Sequence, residues 1–210
     1  VSLRQEWLEL KDEDPFDYAC VERKIPASSY LKASFDVQAA QTRNGSLQIE
    51  FLDEKGIACT RIELNKEGMI RVKNGARYGN VMPYQADQTY RFEATLDTQH
   101  RQLNLTVSTL GADGKALQSK STKRIFYAPV HQIERIRFRT GDLRTFPTID
   151  TPADWFGTLE HAGDTDTTAL YRIAHVKTVS LDADAGSAVL KTADYKHYVD
   201  DFNAMEPEVL

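Results

Sequence analysis

Three arginines spaced two residues apart form the pattern with the clearest chemical meaning in this sequence. Arg135, Arg137 and Arg139 alternate with Ile136 and Phe138, which places the three guanidinium groups on one face of a β-strand. A planar guanidinium binds a carboxylate or a sulfate through two parallel hydrogen bonds, so the row could hold an acidic glycan. The alternative is pairing with acidic residues of adjacent strands. The candidates for such pairing are Asp36, Glu50, Glu93 and Asp97.

Aromatic side chains outside the alternating segments are the second group with chemical meaning, because an exposed ring can stack on the apolar face of a sugar. Trp155 lies in a stretch from 141 to 166 that contains prolines and glycines and is predicted to be a long excursion. Tyr78 and Tyr84 lie in another predicted loop. Trp155 could instead tuck its loop onto the domain, because tryptophan is highly buried on average. The candidate sugar-binding residues are Trp155, Tyr78, Arg144, Arg137 and Arg139.

A catalytic set is not recognisable in the sequence. Glycosidases need two carboxylates that face one cleft, and the nearest pair, Glu50 and Asp53, is spaced so that the two side chains point to opposite faces of a strand. Asp53 to Gly56 is predicted to be a turn. None of the five histidines has a partner at metal-ligand spacing, and no Gly-x-Ser-x-Gly elbow occurs. We therefore favour a chain without catalytic activity, with a free-standing glycoside hydrolase or polysaccharide lyase as the alternative.

Acidic residues near the two ends of the strand region suggest one cofactor, Ca²⁺. Asp12 and Asp14 precede an early predicted strand, and Asp182 follows the last one. Carboxylate oxygens are the ligands that Ca²⁺ prefers. The spacing is not that of an EF-hand, so ordinary solvated acidic loops are the alternative interpretation.

Period-two alternation of apolar and polar residues is the dominant signal along the chain. It is clearest from Leu31 to Ala39 and recurs in four further segments, and six other strand-like segments bring the number of predicted strands to roughly eleven. Five turn signals separate them, because Asn and Gly tolerate the positive φ of tight hairpins. These signals are Asn44-Gly45, Lys55-Gly56, Glu67-Gly68, Asn74-Gly75 and Asp113-Gly114. Eleven strands are too many for one open sheet, so the predicted fold is all-β, a two-sheet antiparallel β-sandwich.

Two stretches carry a resemblance to a known domain type. They are Asp12 to Ala19, with the sequence Asp-Glu-Asp-Pro-Phe-Asp-Tyr-Ala, and Phe138 to Asp154, which includes Thr140-Gly141-Asp142. Together they resemble concanavalin-like (jelly-roll) β-sandwich domains that adjoin catalytic domains in bacterial polysaccharide-degrading proteins. The resemblance implies a non-catalytic carbohydrate-associated module, either glycan-binding or architectural, whose partner is a glycan or an adjoining catalytic domain. It also implies a secreted, periplasmic or cell-surface location.

The C-terminal segment differs from the rest of the chain. Residues 1–192 are predicted to form the sandwich, and residues 193–210, which lack alternation, a short helix or linker. Within this tail, Tyr198 to Glu206 resembles the lead-in to an (α/α)-toroid glycoside hydrolase domain, so we expect the chain to be part of a longer enzyme.

Charge and cysteine content narrow the partners further. The net charge of −5 argues against nucleic acid, whose phosphates call for a basic excess. No apolar run approaches the roughly 18 residues that cross a bilayer, so no membrane insertion is expected. Cys20 and Cys59 are predicted to be two buried thiols or, alternatively, one disulfide between neighbouring strands.

Overall fold

A computed structural model shows two antiparallel sheets that face each other, as predicted. The structure describes residues 1–4, 7–13, 18–141 and 168–182. In spatial order, sheet 1 consists of β1 (Ser2–Arg4), β2 (Trp7–Asp12), β13 (Ala169–Ser180), β4 (Tyr30–Ala39), β9 (Thr89–Asp97), β10 (Gln102–Leu110) and β11 (Ala116–Ile125). Sheet 2 consists of β3 (Cys20–Ser28), β12 (Ile133–Thr140), β5 (Leu47–Leu52), β6 (Ala58–Leu64), β7 (Met69–Asn74) and β8 (Arg77–Pro83).

The core lies between the inner faces of the two sheets, where the apolar half of each alternating pattern is buried. Phe35 of β4 is paired with Phe92 of β9, and their rings stack with centroids 5.3 Å apart. Phe138 of β12 meets Phe35 edge-on from the opposite sheet, with centroids 5.4 Å apart. Stacked and edge-to-face rings are the favoured aromatic geometries, so these three side chains connect the two layers.

Four of the five predicted hairpins form where the glycines were expected to permit them. The prediction of a hairpin at Asn44-Gly45 is wrong, because this turn connects β4 of sheet 1 to β5 of sheet 2. All five glycines of the turn signals have positive φ, between 59° and 81°. Such angles are strained for residues with a Cβ atom. The polar neighbours also contribute, because the Asn65 side-chain oxygen accepts a hydrogen bond from the Met69 amide. The hairpins therefore fix the register of strand pairs such as β6 with β7.

Two strands were missed by the sequence-based prediction. One is the short β1, and the other is β8, which contains Tyr78, so the prediction that Tyr78 lies in a loop is wrong. In β8 the alternation is interrupted by Gly79 and Asn80, and a register irregularity occurs opposite, between Ile70 and Arg71. Without regular alternation the segment carries no period-two signal, and only its pairing with β7 makes it a strand.

The last described strand lies inside a sheet, although it comes late in the sequence. β13 pairs with β2 on one side and with β4 on the other. Its register with β4 shifts between Ala174 and Lys177, where His175 has a φ of 53°. The strand Ala169–Ser180 is therefore integral to the sandwich. The predicted excursion beyond Gly141 and the tail at 193–210 lie outside the described residues. In the part of the chain that the structure describes, no helix has the length and apolarity needed to cross a membrane.

Candidate functional site

The outward face of sheet 2 carries the predicted arginine row and two further arginines. We call this surface the arginine face. It comprises Arg135, Arg137 and Arg139 on β12, Arg61 on β6 and Arg71 on β7. All five side chains are partly exposed. Strand alternation thus produces the surface that the sequence predicted, and strand pairing extends it across the sheet.

Most of these arginines are already paired with glutamates. Arg135 and Arg137 donate to the two oxygens of Glu22 over 3.0 and 2.9 Å. Glu50, only 2% exposed, accepts from Arg61 over 2.7 Å and from Arg137 over 3.3 Å. The predicted alternative of cross-strand pairing therefore holds for this part of the row.

The identity of the partners differs in part from the expectation. Of the four acidic residues considered, Glu50 is the one beside the arginine face, whereas Asp36, Glu93 and Asp97 lie on sheet 1. These three residues cannot reach β12, because their strands belong to the other sheet. Alternation alone does not show which sheet a strand joins. Glu22, which was not anticipated, pairs instead because β3 is the neighbour of β12.

The pairing fixes the charge state of the arginine face. Burial alone would lower the pKa of Arg61, but hydrogen bonds to Tyr78 and Glu50 raise it above its ordinary value. Burial also opposes the charge of Arg137, whose pKa is raised by its hydrogen bond to Glu22. Because opposite charges within hydrogen-bond distance favour the ionised forms, the guanidinium groups are held in place as an ion-pair network.

The predicted sugar-binding residues are only partly brought together. Arg137 and Arg139 lie side by side on β12, and Tyr78 lies on the same face at the far edge of sheet 2, in contact with Arg61 over 3.5 Å. Arg139 donates to Gln48 and lies over the Tyr18 ring, 5.1 Å from its centroid. Trp155 and Arg144 lie outside the described residues.

The nearest carboxylate pair has a structural role. Glu50 is buried in the ion-pair network, and Asp53 accepts hydrogen bonds from the amides of Lys55 and Ile57 within the predicted turn. One carboxylate therefore neutralises arginines and the other closes a hairpin. Neither arrangement presents two carboxylates to one cleft, as glycoside hydrolysis requires.

The candidate calcium ligands do not meet. Asp12 is buried and accepts a hydrogen bond from Thr140, beside the first residue of β13, Ala169. Asp182 follows the opposite end of that strand, so roughly 40 Å separates the two carboxylates at the rise of an extended chain. They cannot bind one ion, and no group of three potential ligands occurs among the residues that the structure describes. Asp14 lies outside those residues.

Both cysteines are free thiols, with Cys59 buried and Cys20 partly buried. The first of the two predicted alternatives, two buried thiols, is therefore confirmed for Cys59 and only in part for Cys20. Cys20 lies on β3 and Cys59 on β6, with β12 and β5 between them. Three strand spacings are roughly 14 Å, too far for a disulfide. Burial raises the pKa of the Cys20 thiol to about 11 and that of Cys59 further still. The predicted disulfide alternative is therefore wrong.

A concave surface on the opposite side of the molecule was not anticipated. A groove of 740 Å³ lies on the outward face of sheet 1, across β13, β4, β9, β10 and β11. We call this surface the groove. The outward polar side chains that define it are Lys32, Ser34, Glu93, Thr95, Asn104, Thr106, Ser121, Lys123 and Lys177. Pockets of this size are typical of small-molecule and sugar-sized ligands.

Strand register arranges these side chains in two rows across the sheet. One row runs through Val179, Lys32, Thr95, Asn104 and Lys123. The second row runs through Lys177, Ser34, Glu93, Thr106 and Ser121. Hydroxyl, amide and ammonium groups from five strands thus converge on one surface, where they can donate to and accept from the hydroxyls of a sugar.

A rigid ion pair borders the groove along the same strands. Asp36, two residues beyond Ser34, is almost completely buried and accepts from Arg91 over 2.8 and 2.9 Å. The Nδ1 atom of His175 lies 2.9 Å from the same carboxylate. The hydrogen bond to Asp36 raises the pKa of Arg91. This network fixes the backbone positions of β4 and β9 next to the groove.

The sequence carries one local signal for the groove. The polar residues of β4, β9 and β10 alternate as regularly as the apolar ones, and their small hydroxyl and amide side chains suit a ligand-facing floor. Which polar faces adjoin each other depends on strand order, however, and β13 enters between β2 and β4 from far along the chain. The groove was therefore not predictable from alternation alone.

Comparison with known proteins gives consistent results. A family model described as "Sialidase-like, CBM domain" matches residues 1–155. A solved structure named as a sialidase is 55% identical over 98% of this chain, with a TM-score of 0.69. The catalytic domain of a GH131 β-glucanase from Podospora anserina is 13% identical over 89% of this chain and 74% of its own, with a TM-score of 0.51, and shows a likeness of fold. None of the curated proteins matches.

These likenesses define the class as jelly-roll β-sandwich modules associated with glycoside hydrolases. Within that class, the chain belongs to the family of sialidase-like CBM (carbohydrate-binding module) domains. It spans 18% of the length of the sialidase that it matches. The predicted jelly-roll fold and the predicted role as a non-catalytic carbohydrate-associated module are thereby confirmed.

Proposed function

We propose that this chain binds a glycan in the groove of sheet 1 and thereby holds a larger sialidase-like enzyme at its polysaccharide or glycoprotein substrate. The groove is the observation that carries the proposal. It is concave, it spans five strands, and its outward side chains are hydroxyls, an amide and ammonium groups. Such a surface offers many hydrogen-bond partners at once, as recognition of a sugar requires.

The groove is favoured over the arginine face as the glycan site, because its cationic side chains are not already engaged in ion pairs among the described residues. On the arginine face, Arg61, Arg135 and Arg137 already pair with Glu22 or Glu50. A ligand there would have to displace existing ion pairs, which lowers the net gain of binding. In the groove, Lys32 and Lys123 are exposed and have no ion pair among the residues that the structure describes.

A glycan-array screen of the 210-residue chain tests this proposal, with retention and product release both recorded. We expect retention without product. A Thr95→Trp variant, which places a large side chain on the groove floor, should abolish retention while leaving the circular-dichroism spectrum unchanged. Arg139→Gln, on the opposite face, is the matched control and should retain the same glycans.

The other outcomes each have a clear meaning. Retention lost in Arg139→Gln but kept in Thr95→Trp would move the site to the arginine face and contradict the groove assignment. Release of product would contradict the non-catalytic role. Neither retention nor product would support the architectural role, in which the domain packs on an adjoining catalytic domain.

The proposed position of the domain within a longer protein and its proposed cellular location rest on its relation to the matching sialidase. Since the chain spans 18% of the matching sialidase, we infer that it adjoins a catalytic domain in a longer protein.

A glycan-binding module meets its ligand outside the cytoplasm, so we propose a secreted, periplasmic or cell-surface location in a bacterium. Fractionation of cells that produce the natural protein checks this, and recovery in the cytosol alone would contradict it.

A further inference from the structure

We propose that the ligand of the groove is an acidic oligosaccharide with negative groups at two separated positions, held by Lys177 and Lys32 at one side and Lys123 at the other. This inference rests on the proposed glycan-binding function and specifies its ligand class. It is carried by the charge of the groove and by the spacing of its three lysines along the sheet.

The charge of the groove is opposite to that of the whole chain. Lys32, Lys123 and Lys177 are exposed, and Glu93 is the one carboxylate among the described residues that line the groove. Three positive charges and one negative charge leave a net charge of +2, although the chain as a whole carries −5. A positive concave surface on an acidic protein attracts anionic ligands and raises their local concentration.

The pairing of other cations makes the three lysines distinctive. On the same face of sheet 1, Arg91 pairs with Asp36, and Arg172 pairs with Glu9. Within the described ranges, the three lysines of the groove form no ion pair. Glu93 stands near Arg91, whose positive charge it also supports. The lysines thus keep their charge available for a ligand.

The spacing indicates a ligand longer than one sugar. Lys32 and Lys123 occupy the same row, separated by Thr95 and Asn104, and three strand spacings amount to roughly 14 Å. Lys177 lies diagonally beside Lys32, at roughly 7 Å. The polar side chains between the two cationic ends can form hydrogen bonds with the sugar hydroxyls. A single acidic sugar would reach one end only.

The chemistry of lysine leaves the type of anion open. An ammonium group is a mobile point charge without the planar geometry that selects carboxylate in a bidentate pair. Carboxylate-bearing and sulfate-bearing chains therefore share the recognised feature, which is a pair of separated anionic groups. The experiment uses one matched pair of probes for each source of charge.

The test is isothermal titration calorimetry, which measures the affinity of the chain for tetrasaccharides. One pair is an oligogalacturonate and its methyl ester, and the other is a keratan-type sulfated tetrasaccharide and its desulfated form. We expect the charged member of at least one pair to bind about tenfold tighter than its neutral form. This advantage should shrink between about 50 and about 500 mM salt. Galacturonic acid alone should gain no such advantage.

Variants assign the effect to the lysines. Lys32→Gln and Lys123→Gln should each weaken binding of the charged tetrasaccharide about threefold, with binding of the neutral form unchanged. Lys120→Gln is the control, because Lys120 lies on the same strand as Lys123 but does not line the groove. A loss in Lys120→Gln equal to that in Lys123→Gln would contradict the assignment.

The failure of this inference can be told from the failure of the proposed function. If neutral and charged tetrasaccharides bind equally and Thr95→Trp abolishes both, the groove binds glycans but the acidic class is wrong. If galacturonic acid alone binds as well as the tetrasaccharide, the two-position requirement is wrong. If nothing binds, both proposals fail.

Discussion

Two glutamates, Glu22 and Glu50, form the ion pairs that hold the arginines of sheet 2 in place. Glu50 is a buried carboxylate with two guanidinium partners, Arg61 and Arg137. Glu22 joins Arg137 to Arg135. Each carboxylate therefore bridges two cations that would otherwise repel each other across strands. The arrangement stabilises the sheet and also reduces the capacity of the arginines to bind a ligand.

Loss of the Glu50 charge should destabilise the domain. In Glu50→Gln, the partly buried guanidinium of Arg61 loses its counter-charge and Arg137 keeps only Glu22. We expect the free energy of unfolding to fall by about 2 kcal/mol. Urea denaturation measures the change. Glu54→Gln, a substitution of an exposed residue in the adjacent turn, should stay within about 0.5 kcal/mol of the unmodified chain. Equal losses in the two variants would contradict a special role for the network.

At the scale of elements, side chains connect the end of β13 to the loop between β3 and β4. The Asp182 carboxylate accepts hydrogen bonds from the Ser29 amide and hydroxyl over 2.6 and 2.7 Å and from the Tyr30 amide over 3.0 Å. Burial alone would raise the pKa of Asp182, but the hydrogen bonds from Ser29 and Tyr30 lower it. These hydrogen bonds thus hold the C-terminal end of β13 against the start of β4.

This lowered pKa makes one part of the stability depend on pH. Because the folded-state pKa of Asp182 lies below its unfolded value of about 3.9, the contribution is complete above that value. It is lost as the pH falls through the folded-state pKa. We expect Asp182→Asn to cost about 2 kcal/mol at neutral pH and to flatten the decline of stability below about pH 4. Urea unfolding over a pH series checks both effects.

The control for this pH series is Asp113→Asn, in the exposed β10–β11 hairpin. That substitution should leave both the neutral-pH stability and the acid decline near those of the unmodified chain. An acid decline in Asp182→Asn as steep as in the unmodified chain would show that other carboxylates cause the pH dependence.

At the scale of the whole molecule, one core joins both sheets. Phe35 contacts Phe92 within sheet 1 and Phe138 of sheet 2, so neither layer can lose its packing without the other. The groove and the arginine face lie on the two outer surfaces of this shared core. A change at its centre should therefore affect both surfaces together.

Truncation of the central phenylalanine tests this coupling. Phe35→Ala removes a fully buried ring and should lower the free energy of unfolding by about 4 kcal/mol in a single cooperative transition. Tyr30→Ala, at an exposed position of the same strand, should cost no more than about 0.5 kcal/mol. Two separate transitions, with only one of them shifted by Phe35→Ala, would show that the sheets unfold independently.

The sequence by itself determined the strands and the turns, because both depend on local properties. Alternation from Leu31 to Ala39 predicted β4, and turn glycines such as Gly68 predicted hairpins whose backbone needs positive φ. The arginine row on β12 was likewise predictable, since three residues at period two must share a face. Interrupted alternation hid β8, where Gly79 and Asn80 break the pattern.

Tertiary structure alone decided which strands are neighbours, and therefore which polar faces meet. The insertion of β13 between β2 and β4 brings Lys177 beside Ser34, far away in the sequence. Strand order also places Glu22 of β3 beside the arginines of β12 and separates Cys20 from Cys59 by two intervening strands. Alternation specifies which face a side chain occupies, but the pairing of distant strands depends on the packing of the whole core. The groove needs that pairing in addition to the local alternation of polar residues, because alternation does not specify which polar faces adjoin.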